Sequence, residues 1–515
     1  MDKIVILDFG GQTTQLIGRR LREGGFYSEI YPHDTKLTSD FLLNVKGIIL
    51  SGSPYSVYED DSPQVDPEFF QVQLPKLGIC YGFQLITQVQ GGNVRPLPAK
   101  EYGRVPLTLE IEDPLYKDIP SGFSSWMSHG DSIEALAPGF RLIAQSDNHP
   151  ASAVNPETAT WGIQFHPEAS HCEFGNQLLW NFAGVIAGMK QEWSMESYLD
   201  MLCSRVQTRV GKRKVLLLIS GGVDSTVAGG VLLKVLDPDQ VYLMYIDTGL
   251  MRKNESIEVA ENLKKLGAKH LHLIDAQDRF LGPLKNVSDP EQKRKIIGDL
   301  FIKVQEDEVS KLDLGDYFLG QGTLYTDLIE SGKGVGKKAH VIKSHHNVGS
   351  PLVERKRQQG LIVEPLDMLY KDEVRELGTL LGISDAIVLR HPFPGPGLGI
   401  RVLGEVSKVK CDILREADWI FINELKRRGL YSQIWQAFCV LLPVKSVGVT
   451  GDARDYSYVL SLRAVTSKDG MTADVFEFPY KELLEISNLI TNTVKEIGRV
   501  VYDVSSKPPS TIEWE

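Results

Sequence analysis

Short apolar runs alternate with amphipathic stretches through the first part of the chain. Lys3–Leu7, Lys46–Leu50 and Lys76–Ile79 have the length and composition of buried strands, and Thr14–Glu23 carries its apolar residues at helical spacing. Strands that alternate with helices predict a largely parallel sheet that is covered on both faces. The first part of the chain is therefore predicted to be a doubly wound α/β domain.

A second alternating block follows a polar, tryptophan-containing stretch at Gln191–Ser194. Its predicted strands are Lys214–Ile219, Val241–Ile246 and Tyr317–Leu319, and a helix is predicted over Val227–Leu236. This block repeats the strand–helix order of the first, so it is predicted to be a second doubly wound domain with a mostly parallel sheet.

The proline- and glycine-rich run His391–Gly397 interrupts this alternation and marks a second boundary. After it, the pattern predicts two strands, a long helix and a last strand, at Ser446–Val449, Tyr456–Ala464, Tyr480–Ile497 and Arg499–Val504. The predicted fold class is α/β, with domains at 1–191 and 192–390 followed by a small α+β domain at 391–515.

Composition narrows the class of protein. Of the 515 residues, 56 are Lys or Arg and 67 are Asp or Glu, and the resulting net charge of −11 argues against a general nucleic-acid binder. The 5 cysteines are few and scattered, as is typical of a reducing compartment. The first apolar run is too short for a secretory signal, and no run approaches the length that spans a bilayer. We therefore expect a cytoplasmic protein that binds neither nucleic acid nor membrane.

The first candidate for chemistry is Cys80, which follows the predicted strand Lys76–Ile79 and precedes an apolar helical pattern. A cysteine at a tight strand-to-helix turn is exposed to substrate, and the helix N-terminus favours its thiolate. The backbone N–H of Tyr81 would point to the place where an oxyanion forms, and Gly82 allows close approach. A buried structural cysteine is the alternative interpretation of a lone cysteine.

A histidine and a glutamate are predicted to support this cysteine. The stretch Trp161–Glu168 alternates as a strand does, and the period of two turns the side chains of His166 and Glu168 the same way. The carboxylate can then orient the imidazole, which can take a proton from a thiol.

The motifs Gly78-Ile79-Cys80-Tyr81-Gly82 and His166-Pro167-Glu168 together resemble those of class I glutamine amidotransferases. The resemblance implies that Cys80 attacks the glutamine amide, that His166 acts as base and acid, and that Glu168 orients His166. It also implies an oxyanion hole formed by the amides of Gly52 and Tyr81. Residues implied to lie near the glutamine pocket are Gln84, Ser128 and His129.

The second candidate site follows the apolar run Lys214–Ile219. Two glycines and three hydroxyl groups at a helix N-terminus suit a phosphate or pyrophosphate, and Asp224 within such a loop is assigned to Mg²⁺. The predicted loop consists of Ser220, Gly221, Gly222, Val223, Asp224, Ser225 and Thr226.

This loop lacks the Walker spacing and instead resembles the pyrophosphate loop of N-type ATP pyrophosphatases. The resemblance implies that ATP is a co-substrate cleaved between its α and β phosphates, so that a substrate oxygen is adenylylated. It also implies that Lys371 meets phosphates, whereas the alternative interpretation is an ordinary lysine on a helix surface. No redox cofactor is expected.

Four further segments resemble those of the GMP synthetase family: Lys293–Gly298, Lys343–Asn347, His391–Gly397 and Ser506–Glu515. The resemblance implies xanthosine monophosphate (XMP) as the substrate, with its O2 adenylylated and then replaced by an amino group from glutamine. It also implies a homodimer that pairs through the last domain. Residues implied to contact XMP are Arg294, Asp452, Lys507 and Glu513.

Two other classes of function stay open. Ligases of NAD synthesis or tRNA thiolation share the loop at Ser220–Thr226, but they lack the segment Ser506–Glu515, and thiolation enzymes need further cysteines. A nucleotide-binding regulator with an inactive glutaminase would fit the fold, although the intact set of Cys80, His166 and Glu168 argues against it.

Overall fold

An eight-stranded mixed sheet forms the centre of the first unit of the chain. The structure is a computed structural model, which describes residues 1–146, 149–328, 351–450, 453–467 and 472–515. The first unit contains Met1–Tyr198 and the described residues Tyr325–Leu328, and the second contains Leu199–Leu324 and the described residues after 350. The strands of the first unit are β1 (Lys3–Asp8), β2 (Ser28–Pro32), β3 (Val45–Leu50), β4 (Lys76–Ile79), β5 (Asn93–Pro106), β6 (Thr108–Leu109), β7 (Ser124–Ala135), β8 (Arg141–Gln145), β9 (Pro150–Asn155) and β10 (Thr160–Ile163).

The strand order in this sheet is β2-β1-β3-β4-β10-β9-β8-β6. The strands from β2 to β10 are parallel, whereas β9, β8 and β6 continue the sheet in antiparallel pairs. Strands β5 and β7 form a separate antiparallel pair. The helices of this unit are α1 (Thr14–Glu23), α2 (Tyr81–Val89) and α3 (Gly175–Trp180).

Strand β1 shows why this sheet is covered on both faces. Ile4 and Ile6 belong to one apolar cluster, and Val5 and Leu7 belong to another. All four side chains are fully buried. Because successive side chains of a strand point to opposite faces, a continuous apolar run fits a strand with packed layers on each side.

The second unit contains a five-stranded sheet that is parallel throughout, in the order β13-β12-β11-β14-β15. Its strands are β11 (Lys214–Ile219), β12 (Val241–Asp247), β13 (His270–Asp275), β14 (Tyr317–Gly320) and β15 (Ile362–Val363). The helices along this part of the chain are α4 (Met195–Val210), α5 (Val223–Val235), α6 (Glu255–Lys265), α7 (Gln277–Leu281), α8 (Pro290–Ser310), α9 (Tyr325–Leu328), α10 (Pro351–Gln358), α11 (Lys371–Leu380) and α12 (Asp385–Val388). Of these, α9 belongs to the first unit.

The last part of the second unit is an α+β arrangement. Strands β16 (Gln436–Thr450), β17 (Ala453–Thr466) and β18 (Asp474–Val475) pair in antiparallel fashion, and β19 (Ile497–Tyr502) lies parallel to β17. Helices α13 (Lys408–Arg427) and α14 (Tyr480–Thr493) pack with this sheet. The predicted fold class is confirmed in its mixed, parallel and antiparallel sheets, while the domain boundaries at 191 and 390 stay a prediction.

Several predicted elements end or begin elsewhere. The helix predicted over Tyr480–Ile497 ends at Thr493, and the strand predicted over Arg499–Val504 spans Ile497–Tyr502. Helix α5 starts at Val223 rather than at Val227, so Asp224 lies in its first turn. The strand predicted over Trp161–Glu168 is wrong in its second half, because β10 ends at Ile163. Within the described residues, no helix is both long and apolar enough to cross a membrane.

Candidate active sites

Cys80 lies at the turn between β4 and α2 with a strained backbone. Its φ is +52° and its ψ is −106°, a conformation that residues other than glycine rarely adopt. The Cys80 N–H donates to the carbonyl of Ile163 at 2.8 Å, which ties the turn to the end of β10. Such strain persists only where the surroundings enforce it, and it is concentrated at functional sites.

Glycines let the elements around this turn approach closely. A methyl group added at Gly82 would lie 2.5 Å from the carbonyl oxygen of Leu50, and one added at Gly162 would lie 1.8 Å from Cδ2 of Phe83. Helix α2 therefore packs directly on β3 and β10, through its backbone at Gly82 and through the ring of Phe83 at Gly162.

His166 and Glu168 are brought together as the sequence predicts, but for a different reason. Nδ1 of His166 lies 2.7 Å from Oε1 of Glu168, and Glu168 is fully buried. Both residues follow the end of β10, so a turn brings them together rather than the period of a strand. The hydroxyl of Thr13 donates to the same Oε1 at 2.7 Å. Thr13 was not predicted as part of this site, because it is far from Glu168 in the sequence and belongs to no motif that marks it.

The surroundings of His166 favour its protonated form. Burial alone would lower the pKa of His166, but the charge of Glu168 and the contact with Cys80 raise that pKa well above its ordinary value. A protonated imidazole beside the Cys80 sulfur can donate a proton to a departing group. The three side chains can therefore perform nucleophilic attack on a carbonyl.

Gly52 lies against this group. A methyl group added there would be 3.1 Å from Cε1 of His166 and 3.8 Å from Cβ of Cys80. Tyr81 is the first residue of α2, and N–H groups in the first turn of a helix have no intrahelical partner. The two predicted oxyanion donors thus belong to segments that adjoin the cysteine.

A chain of amides leads from Cys80 to the predicted glutamine residues. Nε2 of Gln164 lies 3.6 Å from the Cys80 sulfur, and Nε2 of Gln84 donates to Oε1 of Gln164 at 3.2 Å. Gln84 also donates to the carbonyl of Asp131 at 3.0 Å. Gln164 had been given no role from the sequence, although it lies within the stretch that carries His166.

The other two predicted glutamine residues lie on β7. Ser128 is exposed, whereas His129 is buried with Nδ1 2.8 Å from the carbonyl of Asp131 and Nε2 3.1 Å from Oε2 of Glu101. Burial lowers the pKa of His129. These contacts fix His129 within the β5–β7 pair, and they give Gln84 and His129 a shared backbone partner.

The loop between β11 and α5 is held by its own hydroxyl groups. The Ser220 N–H donates to Oγ of Ser225 at 3.1 Å, and the Thr226 hydroxyl donates to the carbonyl of Gly222 at 2.9 Å. Gly221 has a φ of +80°, which a glycine adopts at little cost. The loop ends at the N-terminus of α5, where backbone N–H groups and the helix dipole favour an anion.

Lys371, the first residue of α11, reaches this loop. Its Nζ lies 2.6 Å from Oδ1 and 2.7 Å from Oδ2 of Asp224, and both side chains remain partly exposed. The alternative of an ordinary surface lysine does not describe this contact. A cation and a carboxylate therefore lie side by side at the mouth of the anion loop.

The loop opens into a cavity of about 410 Å³ within the second unit. Arg294 from α8, Lys371 and Arg375 from α11 and the segment His391–Pro396 line it together with Ser220–Asp224. A cavity of this size suits a nucleotide-sized ligand. The proline- and glycine-rich boundary segment thus forms a wall of the site.

Two further residues predicted to contact XMP, Lys507 and Glu513, lie outside the lining of this cavity. Glu513 accepts from Nη2 of the buried Arg401 at 2.7 Å and from Nε2 of Gln436 at 2.7 Å. Lys507 pairs through its backbone with Ala473. Arg294 donates to the carbonyl of Glu515, which links the cavity to the segment that carries Glu513. Asp452 lies outside the described residues.

The resemblance implies a Mg²⁺ ion near Asp224, and the side chains around the loop show whether they could hold it. Among the described residues, no group of three or more His, Cys, Asp or Glu side chains is placed to hold a metal ion. Mg²⁺ is commonly held by one or two carboxylates together with substrate phosphates, so Asp224 at a phosphate-binding loop fits this ion as a partial ligand set.

A buried thiol–imidazole–carboxylate set on one α/β unit and a phosphate loop on another define a glutamine amidotransferase joined to a nucleotide-dependent ligase. Three family models match: "Glutamine amidotransferase class-I" at residues 5–185, "NAD synthase" at 194–291 and "GMP synthase C terminal domain" at 423–514. The chain belongs to the glutamine-hydrolysing GMP synthase family, whose members aminate XMP to GMP with glutamine and ATP.

Relatives named "GMP synthase [glutamine-hydrolyzing]" match over the whole chain. The protein of Enterococcus faecalis is 48% identical over 518 residues, covering 100% of this chain and 98% of its own. The protein of Bacillus subtilis is 49% identical over 515 residues, covering 100% and 99%. A solved glutamine amidotransferase structure from Thermotoga maritima is 18% identical, covers 40% of this chain and 85% of its own, and has a TM-score of 0.28.

Proposed function

We propose that the GMP synthase reaction of this chain begins with attack of the Cys80 thiolate on the amide carbon of glutamine. The support is the strained turn that presents Cys80 beside His166, with Glu168 2.7 Å behind the imidazole. His166 donates its proton to the departing ammonia and then activates the water that hydrolyses the thioester. Glu168, with Thr13, holds the imidazole in place.

The backbone N–H groups of Gly52 and Tyr81 stabilise the oxyanion of both tetrahedral intermediates. One donor of this kind typically contributes about 10²–10³-fold in rate. Gln84, Ser128 and His129 hold the glutamine substrate, and Gln84 is connected to the cysteine through Gln164.

In the second unit, the loop Ser220–Thr226 binds the phosphates of ATP through backbone N–H and hydroxyl groups. Lys371 neutralises phosphate charge, and Asp224 would hold Mg²⁺, which supplies charge neutralisation when bound. O2 of XMP attacks the α-phosphate, pyrophosphate leaves, and ammonia then displaces AMP from the adenylylated base. Arg294, Asp452, Lys507 and Glu513 hold XMP, supported by the position of Arg294 in the cavity.

Ammonia is mostly protonated in neutral water, and the ammonium ion is not a nucleophile. Release of ammonia from glutamine within the protein, and exclusion of water from the adenylylated intermediate, therefore both favour the amination.

The chain is further proposed to consist of three domains at 1–191, 192–390 and 391–515. It is also proposed to be a cytoplasmic protein, which agrees with its five free thiols.

The last domain is proposed to pair two copies of the chain. Val447 and Tyr456 lie opposite each other in the β16–β17 hairpin, and Val449 follows two residues later on the same face. All three side chains are exposed in the single chain. An apolar strip of this kind fits an interface between copies.

A comparison of nitrogen sources tests the division of labour. With XMP, ATP and Mg²⁺ present, Cys80→Ala should abolish GMP formation from glutamine and retain it from ammonia. Asp224→Asn should stop AMP formation with either source. Equal loss of both activities in Cys80→Ala, or full activity in Asp224→Asn, would contradict these roles.

A further inference from the structure

The nucleotide cavity contains more cationic side chains than its own anions neutralise. The cationic side chains that line it are Arg294, Lys371, Arg375 and Arg390. Lys371 pairs with Asp224 at 2.6 Å, and Arg390 pairs with Glu255 at 2.8 Å. These pairs use the two carboxylates of the lining, Asp224 and Glu255.

Among the described residues, no acceptor pairs with Nε of Arg375, in contrast to the other cations of the lining. Its Nε is buried without a hydrogen-bond partner, and its guanidinium forms no ion pair with another described residue. By contrast, Arg294 donates to the carbonyl of Glu515. A buried N–H group of a cation is unfavourable unless an acceptor reaches it, so this position is prepared for an anion.

His391, in the wall of the same cavity, cannot supply that acceptor. Nδ1 of His391 accepts from the Ala437 N–H at 3.1 Å, and Nε2 lies 3.0 Å from the carbonyl of Tyr431, so both ring nitrogens are used. Burial lowers the pKa of His391 to about 4, and Arg375 is among the cations that contribute to this lowering. The neutral imidazole of His391 therefore offers Arg375 no free lone pair.

The position of Arg375 on α11 relates it to the phosphate loop. It follows Lys371 by four residues, so the two side chains lie on the same face of the helix, about 6 Å apart along its axis. Lys371 contacts Asp224 at one end of the cavity. A guanidinium one turn further along can bind a second phosphate oxygen of the same ligand or the phosphate of a second ligand.

We propose that Arg375 binds a phosphate group of a nucleotide substrate, by charge-assisted hydrogen bonds from its guanidinium. This inference rests on the proposed role of the cavity in binding ATP and XMP. The planar guanidinium presents paired donors that match phosphate oxygens, which a lysine reproduces only as a point charge. The phosphate can come from ATP or from XMP, and kinetics separate these sources.

The test uses the full chain with ammonia as the nitrogen source, so that glutamine hydrolysis does not enter. The Michaelis constants for ATP and XMP and the inhibition constant of pyrophosphate are measured for the wild-type protein, Arg375→Met and Arg375→Lys. Arg427→Met is the matched control, because Arg427 is an exposed arginine of the same unit that pairs with Glu424.

Arg375→Met should raise one of the two Michaelis constants by about 10- to 100-fold, as expected for loss of a hydrogen bond to a charged group. The other constant should change less than about two-fold, and Arg375→Lys should recover part of the loss. If ATP is the source, the pyrophosphate inhibition constant rises in parallel. If XMP is the source, that constant stays unchanged.

Unchanged Michaelis constants in Arg375→Met would overturn the inference. A fall of kcat and of thermal stability, with both Michaelis constants raised equally, would also overturn it and show a purely structural residue. Failure of the wild-type protein to form AMP from ATP and XMP would instead remove the proposed function itself.

Discussion

The carboxylate of Glu168 connects the catalytic histidine to a residue far away in the sequence. It is fully buried, and its Oε1 lies 2.7 Å from both the His166 ring and the Thr13 hydroxyl. A carboxylate in such a place holds the imidazole in one orientation and stabilises its positive charge. Substitutions can separate the effect of the Glu168 charge from the effect of its hydrogen bonds.

Replacing Glu168 by Gln is expected to lower the pKa of His166, because the charge that raises this pKa is removed. The alkaline limb of the glutaminase pH profile should therefore move to lower pH, and the rate at the optimum should fall by about 10²–10⁴-fold. The profile of kcat/KM for glutamate release measures both effects. Thr13→Val should move the limb in the same direction by less, and an unmoved limb in Glu168→Gln would contradict the assignment.

The buried His391 is expected to make the free energy of unfolding, rather than the reaction rate, depend on pH. Burial lowers its pKa to about 4 in the folded protein, against about 6.5 in an unfolded chain. Between these values the unfolded state binds more protons, so stability should fall as the pH drops from about 6.5 to 4, by up to about 3 kcal/mol. Urea unfolding across this range should show a flatter dependence in His391→Gln, and the exposed His171→Gln should behave as wild type.

The residues that could be predicted from sequence are those whose partners are local. Cys80 with its flanking glycines is one short motif, and His166 with Glu168 is another. In each motif the interacting residues are close in the sequence, so their proximity could be predicted. Thr13 and Gln164 could not be assigned a role, since their contacts with Glu168 and Cys80 come from chain segments that only the folded sheet brings together.

At the scale of elements, the contact between α2 and β10 decides where the nucleophile lies. The helix packs so closely that a methyl group on Gly162 would overlap the ring of Phe83. Phe83 is fully buried and has no room to move away. This packing makes stability and catalysis depend on the same glycine.

Gly162→Ala should destabilise the first unit by about 1–3 kcal/mol or more, as overpacking of a dense core does. It should also lower glutaminase activity more than the ammonia-dependent reaction, because the displaced helix carries Tyr81. Thermal unfolding and the two assays measure these effects.

Gly298→Ala is a control that should change stability in the opposite direction. Gly298 lies inside α8, and a methyl group added there meets nothing within 4 Å. Because alanine favours a helix more than glycine does, the free energy of unfolding should rise by up to about 1 kcal/mol.

The elements that the sequence predicts best are those with continuous apolar runs. The predicted bounds of β4 and β11 agree with the structure, because burial on both faces leaves a run with sharp ends. The predicted bounds of α1 agree as well, because its apolar residues recur at helical spacing and Gly24-Gly25 follows its end. The start of α5 was missed, since a Gly-Gly pair followed by polar residues favours a loop until the anion site at the helix N-terminus is considered. The β16–β17 hairpin is longer than predicted, because long-range pairing extends strands beyond their local pattern.

At the scale of the whole molecule, the predicted second and third domains meet in a shared core. One apolar cluster contains Leu216 and Met244 of the parallel sheet together with Phe421 and Leu460 of the last part of the chain. Sequence patterns identify the two sheets separately, but they do not reveal this shared core, which depends on contacts between distant segments. The nucleotide cavity is consequently walled by residues of both parts.

The last prediction concerns the pairing of two copies through the β16–β17 hairpin. Val449 is 79% exposed and Tyr456 is 60% exposed. Contact of apolar surface with water is unfavourable, so a partner that covers these side chains would lower the free energy. The double substitution Val447→Lys with Val449→Lys places like charges at a two-fold interface and leaves them desolvated. The dimer dissociation constant should then rise by at least about 100-fold, since such charges cost several kcal/mol.

Sedimentation over a range of concentrations measures this constant, and Ile257→Lys is the matched control, because Ile257 is 60% exposed on α6, away from the hairpin. A dimer that persists unchanged in the double variant would place the interface elsewhere. If the variant is monomeric, its ammonia-dependent activity shows whether the nucleotide cavity depends on pairing.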